Sequence, residues 1–104
     1  MFQLETISAK MLDYYVDRND SLIIDLRAPE EYRISHVRNA VNIPYDTIEE
    51  KGDFPKEKTL VFYCDRGGAS LSAAKKYMKR GYRTRSVIGG FQEYHGRNLV
   101  FCGK

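Results

Sequence analysis

The stretch LVFYCDRGGASLSAA, residues 60–74, joins an apolar run to a cysteine, a glycine-rich turn and an amphipathic segment. The run TLVFYC, residues 59–64, is apolar without alternation, which is typical of a strand covered on both faces. Residues 65–69 predict a loop, and residues 70–80 predict a helix because their apolar side chains recur along one side. The stretch therefore predicts a strand, a loop and a helix, with Cys64 at the end of the strand.

Over the rest of the chain, short apolar runs alternate with patterns of helical periodicity. We expect strands at residues 2–4, 21–25, 40–44, 59–64 and 82–90, the last of these with a turn. We expect helices at residues 7–20, 29–34, 46–54, 70–80 and 91–96, followed by a tail at residues 98–104. This alternation predicts an α/β fold: a small parallel sheet of about five strands, with helices on both faces and right-handed crossovers. The length predicts one domain over residues 1–104.

Several residues mark the expected helix ends. Ser8 and Asp46 are candidate N-caps, because their side-chain oxygens can accept a hydrogen bond from a first-turn N–H. Pro29 suits a first helical turn. Gly52 follows one helical pattern, and Gly81 follows another, where it fits a left-handed C-terminal cap.

Composition excludes several classes of protein. The net charge is +3, from 17 basic and 14 acidic residues, which suits small anions better than nucleic acid. No window approaches the ~20 apolar residues of a membrane span, so we expect no membrane partner. Two cysteines are too few for a disulfide framework or a structural zinc site, and neither lies at a metal-ligand spacing from His36 or His95. We expect a cytoplasmic protein with reduced thiols and no metal or organic cofactor.

Cys64 is the candidate functional residue. In open α/β sheets, sites lie beyond the carboxyl ends of the strands, and Cys64 falls at such an end. A loop of small residues before a helix can turn its N–H groups inward to hold an anion. Gly67 and Gly68 would permit positive φ and close approach, and Arg66 would add a fixed positive charge. Asp65 has the opposite charge, so we expect its side chain to point away.

Two interpretations of Cys64 remain open from the residues alone. The loop N–H groups and Arg66 would favour the thiolate, which is the nucleophilic form of cysteine. Alternatively, Cys64 is a buried structural residue that happens to precede a glycine-rich turn.

Three blocks of the sequence resemble those of a single-domain rhodanese, a member of the sulfurtransferase family. The block LIIDLRAPEEYRISHVRNAVNIP, residues 22–44, resembles the family signature with an Asp-x-Arg at a strand end and a His before an AxNIP strand. Residues 60–74 resemble the active-site strand, loop and helix, and GYRTRSVIGGFQEY, residues 81–94, resembles the last strand with its Gly-Gly turn. With the intervening helices, these blocks cover nearly the whole chain.

This resemblance implies a mechanism with Cys64 as the catalytic residue. Its thiolate would take the outer sulfur of thiosulfate or a similar anionic donor, and the resulting persulfide would pass that sulfur to a thiol, cyanide or a protein acceptor. The residues expected to bind the donor follow directly in the chain: Asp65, Arg66, Gly67, Gly68, Ala69 and Ser70.

The chain departs from the family pattern at several positions that bear on the choice of donor. Many relatives carry Arg where this chain has Ala69. The turn after the signature His is usually small and contains Gly, but here it contains Arg38 and Asn39. Glu31 falls where larger two-domain relatives place a base.

Other polar residues near the expected site are interpreted as scaffold. We expect Arg27 to pair with Glu30 or Glu31, and Asp25 to order nearby loops. We expect His36 to be a hydrogen-bonded structural residue rather than a base. His95 is assigned no role, and Cys102 is either a resolving cysteine or a tail residue.

Two alternative functions belong to other classes. Phosphatases of the same fold clamp phosphate with an Arg six residues after the cysteine, and that position is Ser70 here. A non-enzymatic module would use the same cysteine as a sulfur carrier or redox sensor, or would serve only for docking.

Overall fold

The structure is a computed structural model, and it describes residues 3–51 and 53–101. Two sheets organise this part of the chain, a parallel sheet of five strands and a separate antiparallel pair. The strands are β1 (Gln3–Ile7), β2 (Ser21–Asp25), β3 (Ser35–Val37), β4 (Val41–Asn42), β5 (Thr59–Tyr63), β6 (Arg83–Val87) and β7 (Leu99–Phe101). The α-helices are α1 (Leu12–Tyr15), α2 (Pro29–Ile34), α3 (Ile48–Lys51) and α4 (Gly68–Lys79). Short 3-10 turns cover Ala9–Met11, Tyr45–Thr47 and Gly90–Glu93.

The parallel sheet has the strand order β1-β6-β5-β2-β4, and β5 lies at its centre. All five residues of β5 are buried, as its uninterrupted apolar sequence predicts. Ile23 of β2 and Arg85 of β6 flank Val61 on its two sides. The predicted α/β fold with a five-stranded parallel sheet is therefore confirmed, and its carboxyl edge carries Cys64.

Two apolar clusters cover the opposite faces of this sheet, because successive side chains of a strand point to opposite sides. Val61 and Tyr63 of β5 belong to the cluster on the α1 side, whereas Leu60 and Phe62 belong to the cluster on the α4 side. The α4 cluster also contains Ala73, Ala74 and Tyr77 of α4, and Ile48 of α3. Helices thus cover both faces. Within the described ranges, no helix combines the length and the apolar character needed to cross a bilayer.

The helix expected at residues 7–20 is much shorter in the structure, where a 3-10 turn and α1 end at Tyr15. Two side chains outside the helix bind the backbone carbonyls at this point: Ser21 Oγ donates to Tyr15 O at 2.9 Å, and Asn39 Nδ2, from 23 residues further along the chain, donates to Val16 O at 2.7 Å. These contacts end the helix, and they depend on parts of the chain that local periodicity does not register. Ser8 is at the predicted N-cap position but makes no side-chain capping hydrogen bond.

The other helix ends were predicted from the sequence with different success. The helix α2 begins at Pro29 and has the predicted bounds. Gly81 has φ +99° and closes α4, with Gly81 N donating to Met78 O at 2.9 Å and Tyr82 N to Tyr77 O at 3.1 Å. The N-cap assigned to Asp46 is wrong, because Pro44 precedes the Tyr45–Thr47 turn and Asp46 lies inside it.

The tail contains a strand that periodicity did not reveal. The strand β7 pairs antiparallel with β3, with Val37 opposite Leu99 and Ser35 opposite Phe101. At the other end, the predicted edge strand at residues 2–4 is β1, which extends to Ile7 and pairs with β6. Gly52, expected to follow a helix, and Cys102, expected to be either a resolving cysteine or a tail residue, lie outside the described residues.

Candidate active site

The thiol of Cys64 lies at the carboxyl end of β5, under the first turn of α4. Its sulfur accepts the backbone N–H of Gly67 at 3.0 Å and that of Ser70 at 3.4 Å. The residue is only 7% exposed, and it is a free cysteine. The expected arrangement, with loop amides turned toward the sulfur, is therefore present in the fold.

Gly67 produces this arrangement through its backbone conformation. Its φ is +112°, in the region that side chains disfavour, and it forms the N-cap of α4. A Cβ on Gly67 would stand 3.1 Å from the backbone nitrogen of Gly89, so the two loops approach closely here. Gly68 does not use the positive φ that glycine permits: it is the first residue of α4 and has open space where a Cβ would stand.

The backbone N–H of Ser70 contacts the thiol, whereas its side chain binds other parts of the protein. The residue is fully buried, and its Oγ donates to Gly67 O at 3.0 Å. The same hydroxyl shares a 2.9 Å hydrogen bond with Ser86 Oγ on β6. The side chain of Ser70 therefore ties the loop to the sheet, and only its N–H faces the sulfur. Ala69 is partly buried and packs against the α4 cluster.

The two charged residues of the loop lie at the surface. The Arg66 side chain is 79% exposed, and its Nε is 3.9 Å from Oδ2 of Asp65. The Asp65 carboxylate also accepts Nε2 of Gln92 at 3.2 Å. Arg66 is thus beside the sulfur cradle, the loop whose Gly67 and Ser70 N–H groups contact Cys64 Sγ. This position is as expected, but a neighbouring carboxylate offsets part of the charge of Arg66.

A second turn holds the backbone of Cys64 from the other side. Phe91 N donates to Cys64 O at 2.7 Å, and Gln92 N donates to Asp65 O at 3.3 Å. Gly90 has φ +65° and packs against these carbonyl groups. Sequence reasoning did not assign Gly90 or Phe91 to the site, although the Gly-Gly pair before an aromatic residue was a visible signal.

Asp25 and Arg27 form a buried ion pair at the carboxyl end of β2. Arg27 Nη2 lies 2.9 Å from Asp25 Oδ2, and Arg27 N also donates to Asp25 Oδ1 at 2.8 Å. The pairing of Arg27 with Glu30 or Glu31 was therefore wrong: the carboxylate two residues earlier is folded back onto the guanidinium. Burial lowers the pKa of Arg27, but hydrogen bonding and charge from Asp25 outweigh it, so the net shift is upward.

This pair connects β5 to the turn that holds Cys64. Tyr63 Oη donates to Asp25 Oδ2 at 2.7 Å and accepts Val37 N at 3.1 Å. Burial, reinforced by the charge of Asp25, raises the pKa of the Tyr63 phenol, so the phenol stays protonated. The guanidinium of Arg27 also stacks on the ring of Phe91 at 4.0 Å. Asp25 and Arg27 thus act as scaffold, as expected.

His36 also belongs to the scaffold. Its Nδ1 lies 2.8 Å from Tyr32 O, an acceptor, so this nitrogen carries the proton. The imidazole stacks on the Tyr32 ring with centroids 3.7 Å apart. His95 and Glu31 are exposed.

The two unusual residues after His36 bind other parts of the fold. Arg38 pairs with Asp17 at 3.0 Å and donates to Asn98 at 2.7 Å. Asn39 has φ +71°, so it supplies the left-handed residue that glycine would otherwise provide. These contacts explain both departures from the family pattern by what Arg38 and Asn39 do in the fold, without reference to the sulfur donor.

Comparison with known proteins agrees with this geometry. The sequence model of the rhodanese-like domain matches residues 8–97, and the chain belongs to that family. The tRNA uridine(34) hydroxylase of Yersinia pestis (strain Pestoides F) is 33% identical over 113 residues, covering 94% of this chain and 32% of that protein. The chain therefore spans about a third of the length of the curated relatives that it matches.

Two solved structures share the fold over nearly their full length. A rhodanese-like domain protein from Staphylococcus aureus has a TM-score of 0.82 at 24% identity, covering 95% of this chain and 99% of that one. A rhodanese-related protein from Thermoplasma volcanium has a TM-score of 0.80 at 26% identity, covering 92% of this chain and 97% of that one. The expected rhodanese-like family and fold are therefore confirmed.

Proposed function

We propose that this chain is a sulfurtransferase that moves a sulfane sulfur from thiosulfate, or a similar anionic donor, to a thiophilic acceptor through a persulfide on Cys64. The observation that carries the proposal is the pair of N–H groups, from Gly67 and Ser70, directed at the sulfur. A structural cysteine in an apolar core would have no need of two such donors.

In the first half-reaction, the Cys64 thiolate attacks the outer sulfur of thiosulfate. A bond forms between the two sulfurs, the S–S bond of the donor breaks, and sulfite leaves with that electron pair. Cys64 then carries a persulfide with one negative charge on its outer sulfur. No external oxidant or reductant is needed.

The cradle supports this chemistry by stabilising negative charge where it develops. Amides that are already oriented cost no reorganisation during the reaction, and removal of one such donor from an oxyanion hole costs about 3–4 kcal/mol. The sulfur also lies at the amino end of α4, a 12-residue helix whose dipole favours an anion. Ser70 Oγ and Phe91 N hold the two sides of this loop in place.

In the second half-reaction, an acceptor such as cyanide or a thiolate attacks the outer sulfur. The persulfide S–S bond breaks, its electron pair returns to Cys64 as thiolate, and the acceptor leaves with one more sulfur. A covalent intermediate between two substrates predicts ping-pong kinetics.

Intact-mass measurement after incubation with thiosulfate tests the proposal. The expected result is a gain of one sulfur atom, mapped to Cys64 by peptide analysis and removed by cyanide. A Cys64→Ala variant should not load, and a Cys102→Ser variant should load as the parent chain does. Absence of an adduct with several sulfane donors would overturn the proposal.

The same assays discriminate the rival functions. Saturable production of thiocyanate argues against a docking-only module, since docking requires no turnover. A phosphatase would need a guanidinium to clamp phosphate, but the Ser70 side chain at that position is bonded inside the protein to Gly67 and Ser86. Aryl phosphate hydrolysis that disappears in Cys64→Ala would reverse this ranking.

A further inference from the structure

A buried pair of hydroxyl groups lies between the Cys64 loop and the sheet. Ser70 is 0% exposed and Ser86 is 2% exposed, and their Oγ atoms are 2.9 Å apart. Ser86 lies on β6, where it is opposite Thr6 of β1 on one side and Phe62 of β5 on the other. Because β6 is paired on both sides, Ser86 is a firm point to which the loop is attached.

The direction of each hydrogen bond in this pair follows from the number of protons. A serine hydroxyl carries one proton, and Ser70 donates its proton to Gly67 O at 3.0 Å. Ser70 Oγ is therefore the acceptor toward Ser86, and the Ser86 hydroxyl donates. Hydrogen bonds in a chain polarise one another, so the bond from Ser86 strengthens the bond from Ser70 to Gly67.

This chain of hydrogen bonds ends on the two residues whose amides contact the sulfur. Gly67 N donates to Cys64 Sγ at 3.0 Å, and Ser70 N donates to it at 3.4 Å. Ser70 Oγ ties these two residues together through Gly67 O, and Ser86 ties Ser70 to β6. The orientation of both N–H groups toward the sulfur therefore depends on the hydroxyl of Ser86, which acts through Ser70.

The two half-reactions depend on these amides in opposite ways. In loading, negative charge leaves Cys64 Sγ, and an ionised thiolate that is less stabilised is also more nucleophilic, so weaker amides do not slow its attack. In discharge, the S–S bond of the persulfide breaks and its electron pair returns to Cys64 Sγ. Amides that stabilise this returning charge make Cys64 a better leaving group.

We propose that Ser86 is a positioning residue that fixes the sulfur cradle and thereby sets the rate at which the Cys64 persulfide gives up its sulfur. This inference rests on the proposed function, because discharge of the persulfide is its second half-reaction. The acceptor takes the outer sulfur, Cys64 recovers the electron pair of the broken S–S bond, and no external oxidant or reductant is required.

Single-turnover kinetics of a Ser86→Ala variant test this role. Loading is followed by intact mass at saturating thiosulfate, and discharge is followed after the loaded protein is separated from thiosulfate and mixed with cyanide. Both are measured at an alkaline pH where the loading rate no longer rises, so that the thiol is ionised in each protein. Discharge should slow about threefold or more, and loading should be unchanged or faster.

The readout is the rate constant for discharge divided by that for loading, and Ser86→Ala should lower this ratio about fivefold or more. A loss of stability alone would not move it, because unfolding removes active protein from both reactions alike. Ser86→Thr keeps the hydroxyl, on a residue that lines a hollow of about 210 Å³, and should restore the parent ratio.

Thr84→Val is the matched control. Thr84 lies two residues earlier on β6, is fully buried, and donates Oγ1 to Ala74 O at 3.2 Å. Like Ser86→Ala, this substitution removes a buried hydroxyl that bonds β6 to α4, but it does so beyond the first turn of the helix. Thr84→Val should therefore keep the parent ratio of discharge to loading.

A double-mutant cycle tests whether Ser86 acts through Ser70. Ser70→Ala breaks the same chain of hydrogen bonds one link closer to Gly67, so it should lower the ratio at least as much as Ser86→Ala. The double variant should be no worse than Ser70→Ala, because Ser86 then has no hydroxyl to bind. Ser70→Ala also provides the measurement if Ser86→Ala does not fold.

The outcomes separate the two proposals. If Cys64 takes no sulfur in the parent chain, the proposed function fails and the role of Ser86 fails with it. If the parent chain loads and discharges, but Ser86→Ala keeps its ratio or Thr84→Val lowers it equally, the positioning role alone is overturned. Additive losses in the double variant would also overturn it, since they would mean that Ser86 acts independently of Ser70.

Discussion

Gly90 packs directly against the carbonyl oxygen of Cys64. A Cβ on Gly90 would stand 2.5 Å from that oxygen and equally close to the carbonyl oxygen of Asp65. The residue also has φ +65°, where a side chain meets its own backbone. The peptide group of Cys64 therefore packs against a position that only glycine fills without displacement.

The substitution Gly90→Ala should destabilise the fold and loosen the Cys64 loop. The left-handed conformation alone costs about 1–2 kcal/mol for an L-residue. The backbone clash adds to this cost, so we expect the free energy of unfolding to fall by about 2–4 kcal/mol. Urea denaturation measures the change, and loading of Cys64 by thiosulfate should slow because Phe91 N can no longer approach Cys64 O.

Gly68→Ala is the matched control for stability. Gly68 has no atom within 4 Å of the place where its Cβ would stand, and it occupies a helical position at the start of α4. Alanine should therefore leave stability unchanged or raise it by up to about 1 kcal/mol. Equal losses in Gly90→Ala and Gly68→Ala would show that close packing at Gly90 is unimportant.

The hydroxyl of Tyr63 should contribute more to the free energy of unfolding than an ordinary surface hydrogen bond does. Removal in Tyr63→Phe leaves Val37 N–H without its 3.1 Å acceptor and removes the 2.7 Å donor to Asp25. Because these groups are buried, we expect a loss of about 1–3 kcal/mol in thermal or urea unfolding. Tyr14→Phe, on a ring that is 55% exposed, is the comparison and should change stability by less than about 0.5 kcal/mol.

Stability should fall at alkaline pH through Tyr94. Burial, with a 2.6 Å hydrogen bond to Asp13, raises the pKa of Tyr94 to about 12 from its ordinary value of 10. Above pH 10 the unfolded chain loses this proton while the folded chain keeps it, so the contribution is complete below pH 10 and is lost as pH rises toward 12.

Urea denaturation between pH 8 and pH 11, compared with a Tyr94→Phe variant, measures this effect. The variant should be less stable at pH 8, because Asn98 N loses its acceptor at 2.9 Å, but its stability should decline less steeply above pH 10. Parallel pH profiles would contradict the assignment. Other tyrosines are the same in both proteins and cancel in the comparison.

The elements predicted best from the sequence are those whose signals are local. The bounds of α2 follow from Pro29, which fixes the first turn, and β5 follows from an apolar run that only a central strand accommodates. The Cys64 cradle was also predicted, because a strand end, two glycines and a helix start lie next to one another in the chain.

The elements predicted poorly depend on contacts between distant residues. The strand β7 exists through pairing with β3, about 60 residues earlier, so no local pattern marks it. The helix at residues 7–20 stops at Tyr15 because Ser21 and Asn39 bind its last carbonyls. Gly67 takes positive φ as the N-cap residue of α4, whereas Gly68 is already its first helical residue, two residues before the predicted start at Ser70. The sequence does not record where the helix begins because both residues are glycine.

The charge of Arg66 should select for donors with more negative charge. Arg66→Ala removes an exposed guanidinium beside the cradle, where Asp65 already offsets part of its field at 3.9 Å. We expect KM for thiosulfate, a dianion, to rise about three- to tenfold, because a surface charge acts weakly through water. With benzenethiosulfonate, a monoanion that delivers its outer sulfur in the same way, the rise should be about half as large on a logarithmic scale.

Steady-state kinetics with both donors at low and high salt measure this selection. The difference between donors should shrink in high salt, because exposed charges are screened beyond a Debye length. Lys79→Ala is the control, since Lys79 is an exposed cation in the last turn of α4, about 16 Å along the helix from its start. An equal rise in KM for both donors would contradict selection by donor charge, and an equal effect of Lys79→Ala would show that Arg66 acts only through the overall charge of the protein.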